Sequence, residues 1–216
     1  DTSVPWSGDL PSLEEDIGGN QGLGRGWEEE VLGRGGAGPV RAEPKGRGQV
    51  GRDREVMWGC PAPSTGRPLG EWVETDNHRF QVMETPGHSP DHVCLYEPDK
   101  GWLFSGDLYV GGRDRALRRE YEIWQIIDSL KKVAQLDIKV LFPGSAGVRK
   151  EPAGKLADKI AYLEETGNRA LELHDQGLTV GAIRRRLFGT ELPIAYLTNG
   201  HFSGKHLVRS YLRKAA

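Results

Sequence analysis

Three short segments of the chain combine histidine, aspartate or serine with turn-forming glycine and proline. They are Thr85-Pro86-Gly87-His88-Ser89-Pro90-Asp91-His92, Phe104-Ser105-Gly106-Asp107 and Leu141-Phe142-Pro143-Gly144-Ser145-Ala146. Each follows or closes a run typical of a β-strand, and loops at strand ends place side chains on a rigid scaffold that faces solvent. Imidazole and carboxylate groups are ligands that zinc accepts, and a catalytic zinc keeps three protein ligands and an open position. A metal site that includes His88 and Asp107 is therefore one interpretation.

Each segment also has a structural interpretation. A histidine in a tight Pro-Gly turn is often a turn or packing residue, and Asp107 after Gly106 suits a turn. Ser145, which follows Pro143-Gly144, could cap a helix. The residue types alone leave both interpretations open.

The strands that must position these residues begin at residue 71. Polar and apolar residues alternate in 71–75 and 79–84, which predicts a hairpin. Residues 92–96 and 102–105 are two further predicted strands. The nearly all-apolar run 138–142, which ends at Pro143-Gly144, predicts a buried strand.

The predicted helices follow a different period. Apolar residues three and four positions apart predict an amphipathic helix over 120–136, and they are Ile123, Ile126, Ile127, Leu130 and Val133. After Pro152 we expect one long helix or a pair broken near Gly167. Two more helices are predicted over 179–188, with Thr179 as a cap, and over 203–212. Strands, a crossing helix, another strand and then helices indicate a mixed α/β (α+β) fold with a helical appendage.

Two domains are predicted, an α/β domain over 1–150 and a helical extension over 151–216. Residues 1–70 are poorly patterned, because glycine-rich stretches carry too little apolar surface to offset the entropy of ordering them. We expect part of 1–70 to be loop or disordered.

Composition excludes several classes of protein. The 216 residues carry a net charge of −2, so no global field draws the chain to nucleic acid or membrane. No apolar run approaches the length of a membrane span. The 2 cysteines do not form a disulfide framework, which favours a reduced, cytoplasmic protein.

The order of the three polar segments resembles the later motifs of the metallo-β-lactamase superfamily. The resemblance covers about 71–150 and implies a four-layer αββα sandwich, with a metal site at one edge between the two sheets. The rest resembles the helical C-terminal extension of some members, such as the β-lactamase-like endoribonucleases and thioester hydrolases. Few residues precede the first motif, so the implied sandwich is incomplete at its N-terminus.

The resemblance assigns roles to individual residues. His88 matches the histidine that completes the first metal site, and Asp107 matches the aspartate that bridges two metals. The segment 14–20 resembles the tail of the family's first histidine motif. Aligned without a gap, Asp16 falls at the final histidine of that motif and Glu15 at its aspartate. With a one-residue deletion, Asp16 instead keeps the aspartate role.

The implied metal site is degenerate, because Ser145 stands where the family's last histidine is usual. His88 and Asp107 remain as ligands, and Glu15 or Asp16 could supply a third. A carboxylate-rich set weakens the preference for zinc and favours harder ions such as manganese. We expect one or two zinc ions, or manganese, bound weakly, and a metal-free site stays open as an alternative.

The implied activity is hydrolysis by metal-activated water, since the metal lowers the pKa of the water and polarises the bond under attack. Asp107 and Asp16 would be the catalytic carboxylates. Tyr109, Arg113 and Arg115 are predicted to line the substrate site, where arginine suits an anionic group. The substrate would be a small-molecule ester, thioester or amide, or a phosphodiester.

Two other functions stay open from the sequence. The chain could be a catalytically decayed member that acts as a binding or scaffold module. It could also contact RNA through its basic C-terminal region, since cations neutralise phosphates and aromatic side chains stack on unpaired bases. The residues of that region are Arg184, Arg185, Arg186, Lys205, Arg209, Arg213 and Lys214, with Tyr196, Phe202 and Tyr211.

Self-association is a further prediction. If the first strands of the family fold are missing, one sheet presents an exposed edge, and such an edge can pair with another copy. Light scattering tests this prediction, because a concentration-independent monomer with a cooperative melt would contradict it.

Overall fold

The computed structural model describes residues 69–213, which hold eight strands and five helices. The strands are β1 Trp72–Glu74, β2 Arg79–Glu84, β3 Val93–Glu97, β4 Trp102–Gly106, β5 Leu117–Arg118, β6 Val140–Pro143, β7 Arg149–Lys150 and β8 Phe202–Ser203. The helices are α1 Ile123–Val133, α2 Ala153–Asp175, α3 Val180–Phe188, α4 Pro193–Leu197 and α5 Gly204–Leu212.

Six strands form one sheet in the order β1-β2-β3-β4-β6-β7. All neighbours are antiparallel except β4 and β6, which run parallel with Gly106 opposite Pro143. Parallel neighbours need a crossover connection, and α1 lies within the one that joins β4 to β6. The parallel pairing therefore brings Asp107 and Ser145, which follow these two strands, to the same edge of the sheet.

The two faces of the sheet differ in composition. One face, with Met83, Cys94 and Leu103, belongs to the buried core shared with α1. The other face carries aromatic rings, and Phe104 and Phe142 stack with centroids 4.6 Å apart. Alternation of side chains along each strand separates the two sets.

Helix α1 confirms the prediction of an amphipathic helix. Its buried face is the predicted set of apolar residues together with Ser129. Lysines 131 and 132 in the last turn complement the negative end of the helix dipole.

Helix α2 is continuous, so the alternative of a break near Gly167 is wrong. A Cβ atom at Gly167 would lie 2.8 Å from Tyr211 Cδ1 and 3.0 Å from Trp124 Cη2. The glycine is needed for close packing of α2 on α5 and α1, and this requirement outweighs its low helix propensity.

The remaining helices include two that begin at side-chain caps. The Thr179 hydroxyl accepts from Ala182 N at 3.4 Å, as predicted, and Ser203 Oγ accepts from Lys205 N at 3.1 Å at the start of α5. Strand β8 pairs with β5 in a small second sheet. The pattern did not predict β5, β7, β8 or α4, each of which is five residues or shorter.

Several predictions lie outside the described residues. They concern Glu15, Asp16 and the order of residues 1–68. The second large sheet that the resemblance implies is not found within residues 69–213. The boundary at residue 150 also stays a prediction, and α2, α3 and α5 contribute to the same buried core as α1. No helix within residues 69–213 combines the length and apolar composition that a membrane span requires.

Candidate metal and active site

The loop between β2 and β3 carries His88 and is pressed against the start of α1. Gly87 has φ +130°, and a Cβ atom there would lie 2.5 Å from Ile126 N. Glu122 N donates to Gly87 O at 2.9 Å, and Ser129 Oγ donates to Pro86 O at 2.8 Å. The backbone before His88 is therefore fixed by the helix.

His88 Nε2 lies close to two polar groups. The Tyr121 hydroxyl is 3.0 Å away, with the two ring centroids 4.2 Å apart, and Asp107 Oδ2 is 3.5 Å away. The His88 side chain is 25% exposed and that of Asp107 43%, so the pair opens to solvent. The two residues that the sequence singled out lie together at the sheet edge.

Asp107 is held from the neighbouring strand end. Ser145 Oγ donates to Asp107 Oδ1 at 2.7 Å, and Gly144 N donates to Gly106 O at 2.8 Å. Ser145 does not cap a helix; it occupies one oxygen of this carboxylate and leaves the other facing His88.

A second imidazole, that of His92, also lies near this edge. Its Nδ1 is 2.8 Å from the buried Thr85 hydroxyl, and its ring centroid is 5.8 Å from that of His88. Burial lowers the pKa of His92, while the charge of Asp107 acts in the opposite direction. Its bond to Thr85 gives His92 a structural role in this loop.

Beneath His92 lies Cys94, a free thiol with no exposed surface. Its sulfur is 3.3 Å from Thr85 Oγ1 and donates to Ser105 O at 3.6 Å. Burial raises the pKa of Cys94 to about 11, so the thiol stays protonated at neutral pH. Cys94 is therefore a packing residue and not a nucleophile.

Tyr121 connects the site to the C-terminal helix α5. Ser210 Oγ donates to Tyr121 O at 3.1 Å and accepts from Ile123 N at 2.8 Å, and Arg213 donates to Tyr121 O at 2.8 Å. The extension thus fixes the residue that contacts His88. Sequence reasoning missed Tyr121, because neither its spacing nor its neighbours distinguish it from a packing residue.

The three residues predicted to line the substrate site have different surroundings. Tyr109 is 5% exposed, and the guanidinium of Arg113 lies 5.5 Å from the Tyr162 ring centroid. Arg115 donates to Phe188 O at the end of α3 and to Thr190 O at 3.4 Å. These contacts give Arg115 a structural role, and substrate contact by the three residues stays a prediction.

Lys159 of α2 anchors the loop that follows Asp107. Its ammonium pairs with Asp114 Oδ2 at 2.7 Å and donates to Val110 O at 2.9 Å and Gly112 O at 3.0 Å. Burial raises the pKa of Asp114, and the charge of Lys159 opposes the rise. Both ends of the extension therefore support the site, α2 behind Asp107 and α5 behind His88.

The fit to a metal ion is partial among the described residues. Residues 69–213 contain no group of three or more His, Cys, Asp and Glu side chains arranged to hold an ion. The pair itself fits, because two ligands of one tetrahedral zinc, each at its usual bond length, lie about 3.4 Å apart. His88 Nε2 and Asp107 Oδ2 are 3.5 Å apart. The pair thus has the ligand types and the spacing of two of the three protein ligands that a catalytic zinc takes.

Comparison with known proteins agrees with this architecture. The family model of the metallo-beta-lactamase superfamily matches residues 18–145. The Beta-lactamase-like protein 2 homolog of Drosophila melanogaster is 30% identical over 122 residues, which are 54% of this chain and 40% of that protein. A hydroxyacylglutathione hydrolase of Hydrogenovibrio crunogenus is 42% identical over 69 residues, 32% of this chain and 24% of the relative.

A solved structure supports the fold. A metallo-beta-lactamase family protein from Thermus thermophilus superposes with a TM-score of 0.55 at 22% identity, over 71% of this chain and 50% of that one. The chain spans less than half the length of the two curated relatives above. Since the family model matches more than half of the chain, this protein belongs to the metallo-beta-lactamase superfamily.

Proposed function

We propose that this chain is a metal-dependent hydrolase in which His88 and Asp107 hold the ion. The observation that carries the proposal is the 3.5 Å distance between His88 Nε2 and Asp107 Oδ2, reached from two loops 19 positions apart in sequence. The backbone of each loop is fixed by a neighbouring element, so the two groups need little rearrangement to share an ion. A third ligand from Glu15 or Asp16 is part of the proposal.

The residues around the pair have separate tasks in this proposal. A bound ion would supply an activated water and would polarise the bond under attack. Asp107 keeps Oδ2 toward the ion while Ser145 holds Oδ1. Neutral imidazole Nε2 has one lone pair, so His88 cannot bind an ion there and accept from Tyr121 at the same time. With an ion at His88 Nε2, the Tyr121 hydroxyl would therefore bond a group other than this nitrogen.

One relative favours a particular class of bond as the one that this chain would hydrolyse. The Hydrogenovibrio relative is a hydroxyacylglutathione hydrolase, and its 42% identity over 69 residues supports an acyl bond for this chain. Among the predicted classes this favours an ester or thioester over a phosphodiester.

Metal analysis of purified protein tests the proposal. Wild-type protein prepared without chelator should hold at least one zinc or manganese per chain, and His88→Ala and Asp107→Ala should each lose it. His174→Ala is the matched control, because His174 is exposed in the last turn of α2, remote in sequence from both loops. Equal metal content in all four proteins would overturn the assignment of these ligands.

A specific observation also favours a second function, a binding or scaffold module without catalysis. Ser145 bonds Asp107 where the resemblance implies a histidine, and no three-ligand group occurs in residues 69–213. Metal-free protein whose melting temperature is unchanged by added zinc would support the scaffold, since a ligand that binds only the folded state raises that temperature.

A further inference from the structure

A shallow cavity of about 400 Å³ lies on the C-terminal extension, outside the candidate metal site. Its lining consists of Arg119, His206, Arg209, Leu212 and Arg213. Arg119 precedes α1, whereas the other residues belong to α5 or follow it directly. Four of the five lining side chains carry nitrogen donors, and three of these are guanidinium groups.

The positive charge of this cavity is only partly neutralised. Arg213 Nη1 lies 3.3 Å from Glu122 Oε1. Within residues 69–213, no ion pair to a carboxylate is found for Arg119 or Arg209. Arg209 Nη1 instead lies 3.4 Å from His206 Nδ1. Two exposed guanidinium groups thus keep their donors available on one concave surface.

His206 lies in a positive electrostatic environment. Burial lowers the pKa of His206, and the charges of Arg209, Arg119 and His201 lower it further. Its Nε2 donates to Gly200 O at 2.9 Å, which leaves Nδ1 as an acceptor toward Arg209. The neutral ring accordingly adds no charge to the cavity, and it orients one of the arginines.

The helix dipole does not account for the whole cluster. Arginines at the C-terminal end of α5 complement the negative end of its dipole. This explanation covers Arg209 and Arg213. It leaves out Arg119, which comes from a segment some ninety residues earlier. Guanidinium groups converging from two elements are the geometry that proteins use for bidentate recognition of phosphate.

We propose that Arg119, Arg209 and Arg213 form an anion site for the phosphate groups of a ligand. Arg213 also donates to Tyr121 O, and the Tyr121 hydroxyl contacts His88 Nε2. Tyr121 therefore contacts both the arginine cluster, through its carbonyl, and the candidate metal site, through its hydroxyl. The proposal does not rest on hydrolysis, because it concerns binding alone.

Calorimetric titration with pyrophosphate at low salt tests the site. The variant Arg119→Gln/Arg209→Gln should bind pyrophosphate at least roughly tenfold more weakly than wild type, since the charge-assisted hydrogen bonds of both guanidinium groups are lost. Arg213 is left intact because it supports Tyr121. The matched control is Arg185→Gln/Arg186→Gln, which removes the same charge from exposed positions on α3.

The result that would overturn the proposal is equal affinity in wild type and the Arg119/Arg209 variant, or an equal loss in the control. Thermal melts of each variant confirm that weaker binding does not come from unfolding. A second titration with a single-stranded oligonucleotide distinguishes the source of the phosphate. Tighter binding than pyrophosphate with a steep salt dependence identifies a nucleic-acid strand, whereas pyrophosphate binding alone identifies a small phosphorylated molecule.

Discussion

The two proposed metal ligands are supported in different ways. His88 is fixed through its backbone, since Gly87 lies against α1 and Tyr121 behind it is held by α5. Asp107 is more exposed, and its carboxylate is held by one exposed serine while its following loop is anchored by a buried lysine. The comparison indicates that the imidazole is preorganised by packing and the carboxylate by polar contacts. Substitutions on the two sides should therefore lower stability for different reasons, lost packing near His88 and lost polar contacts near Asp107.

The largest effect is expected from Lys159→Met. The change leaves Asp114 partly buried without its cation and removes the donor to two carbonyls, so we expect a loss of about 3–5 kcal/mol in unfolding free energy. Chemical denaturation measures it. The control is Lys131→Met, because Lys131 and Glu164 form a solvent-exposed pair that contributes little to stability. A loss for Lys159→Met as small as that of the control would contradict the role of Lys159 in anchoring the Asp107 loop.

On the His88 side, Gly87→Ala should cost about 2–4 kcal/mol, because it combines backbone strain with overpacking against Ile126. Gly177→Ala separates the two terms. Gly177 has φ +83° and no atom within 4 Å of an added Cβ, so only strain of about 1–2 kcal/mol is expected there. Equal losses in the two melts would contradict a packing role for α1 in placing His88.

The smallest effect on stability is expected from Ser145→Ala. Its bond to Asp107 is exposed, so unfolding free energy should change by less than about 1 kcal/mol, while zinc affinity should fall about tenfold. Ser129→Ala is the matching change on the His88 side. It leaves Pro86 O without its partner in a part-buried site and should cost more stability, about 1–2 kcal/mol. A larger stability loss for Ser145→Ala than for Ser129→Ala would contradict this difference between the two sides.

The sequence predicted the parts of the molecule that have a local signal. Period-two alternation located β2, and the apolar spacing from Ile123 to Val133 located α1. The motif order predicted that His88 and Asp107 lie together. Strands β5, β7 and β8 were missed because two residues cannot display a period.

The supports of the site could not be predicted from the sequence. Ser210 contacts Tyr121 across 89 positions and Lys159 contacts Val110 across 49. A serine or lysine on a helix has the same local pattern whether it faces solvent or a distant carbonyl. Only the packing of α2 and α5 decides between these outcomes.

Alkylation of the buried Cys94 thiol can detect opening of the sheet edge that carries His88 and Asp107. The sulfur lies among β2, β3 and β4, beneath the loop that carries His88. With a pKa of about 11 and no exposed surface, it can be alkylated at neutral pH only after the strands or the core packed around it open. The rate at which Cys94 is alkylated under native conditions therefore measures how often this edge of the sheet opens.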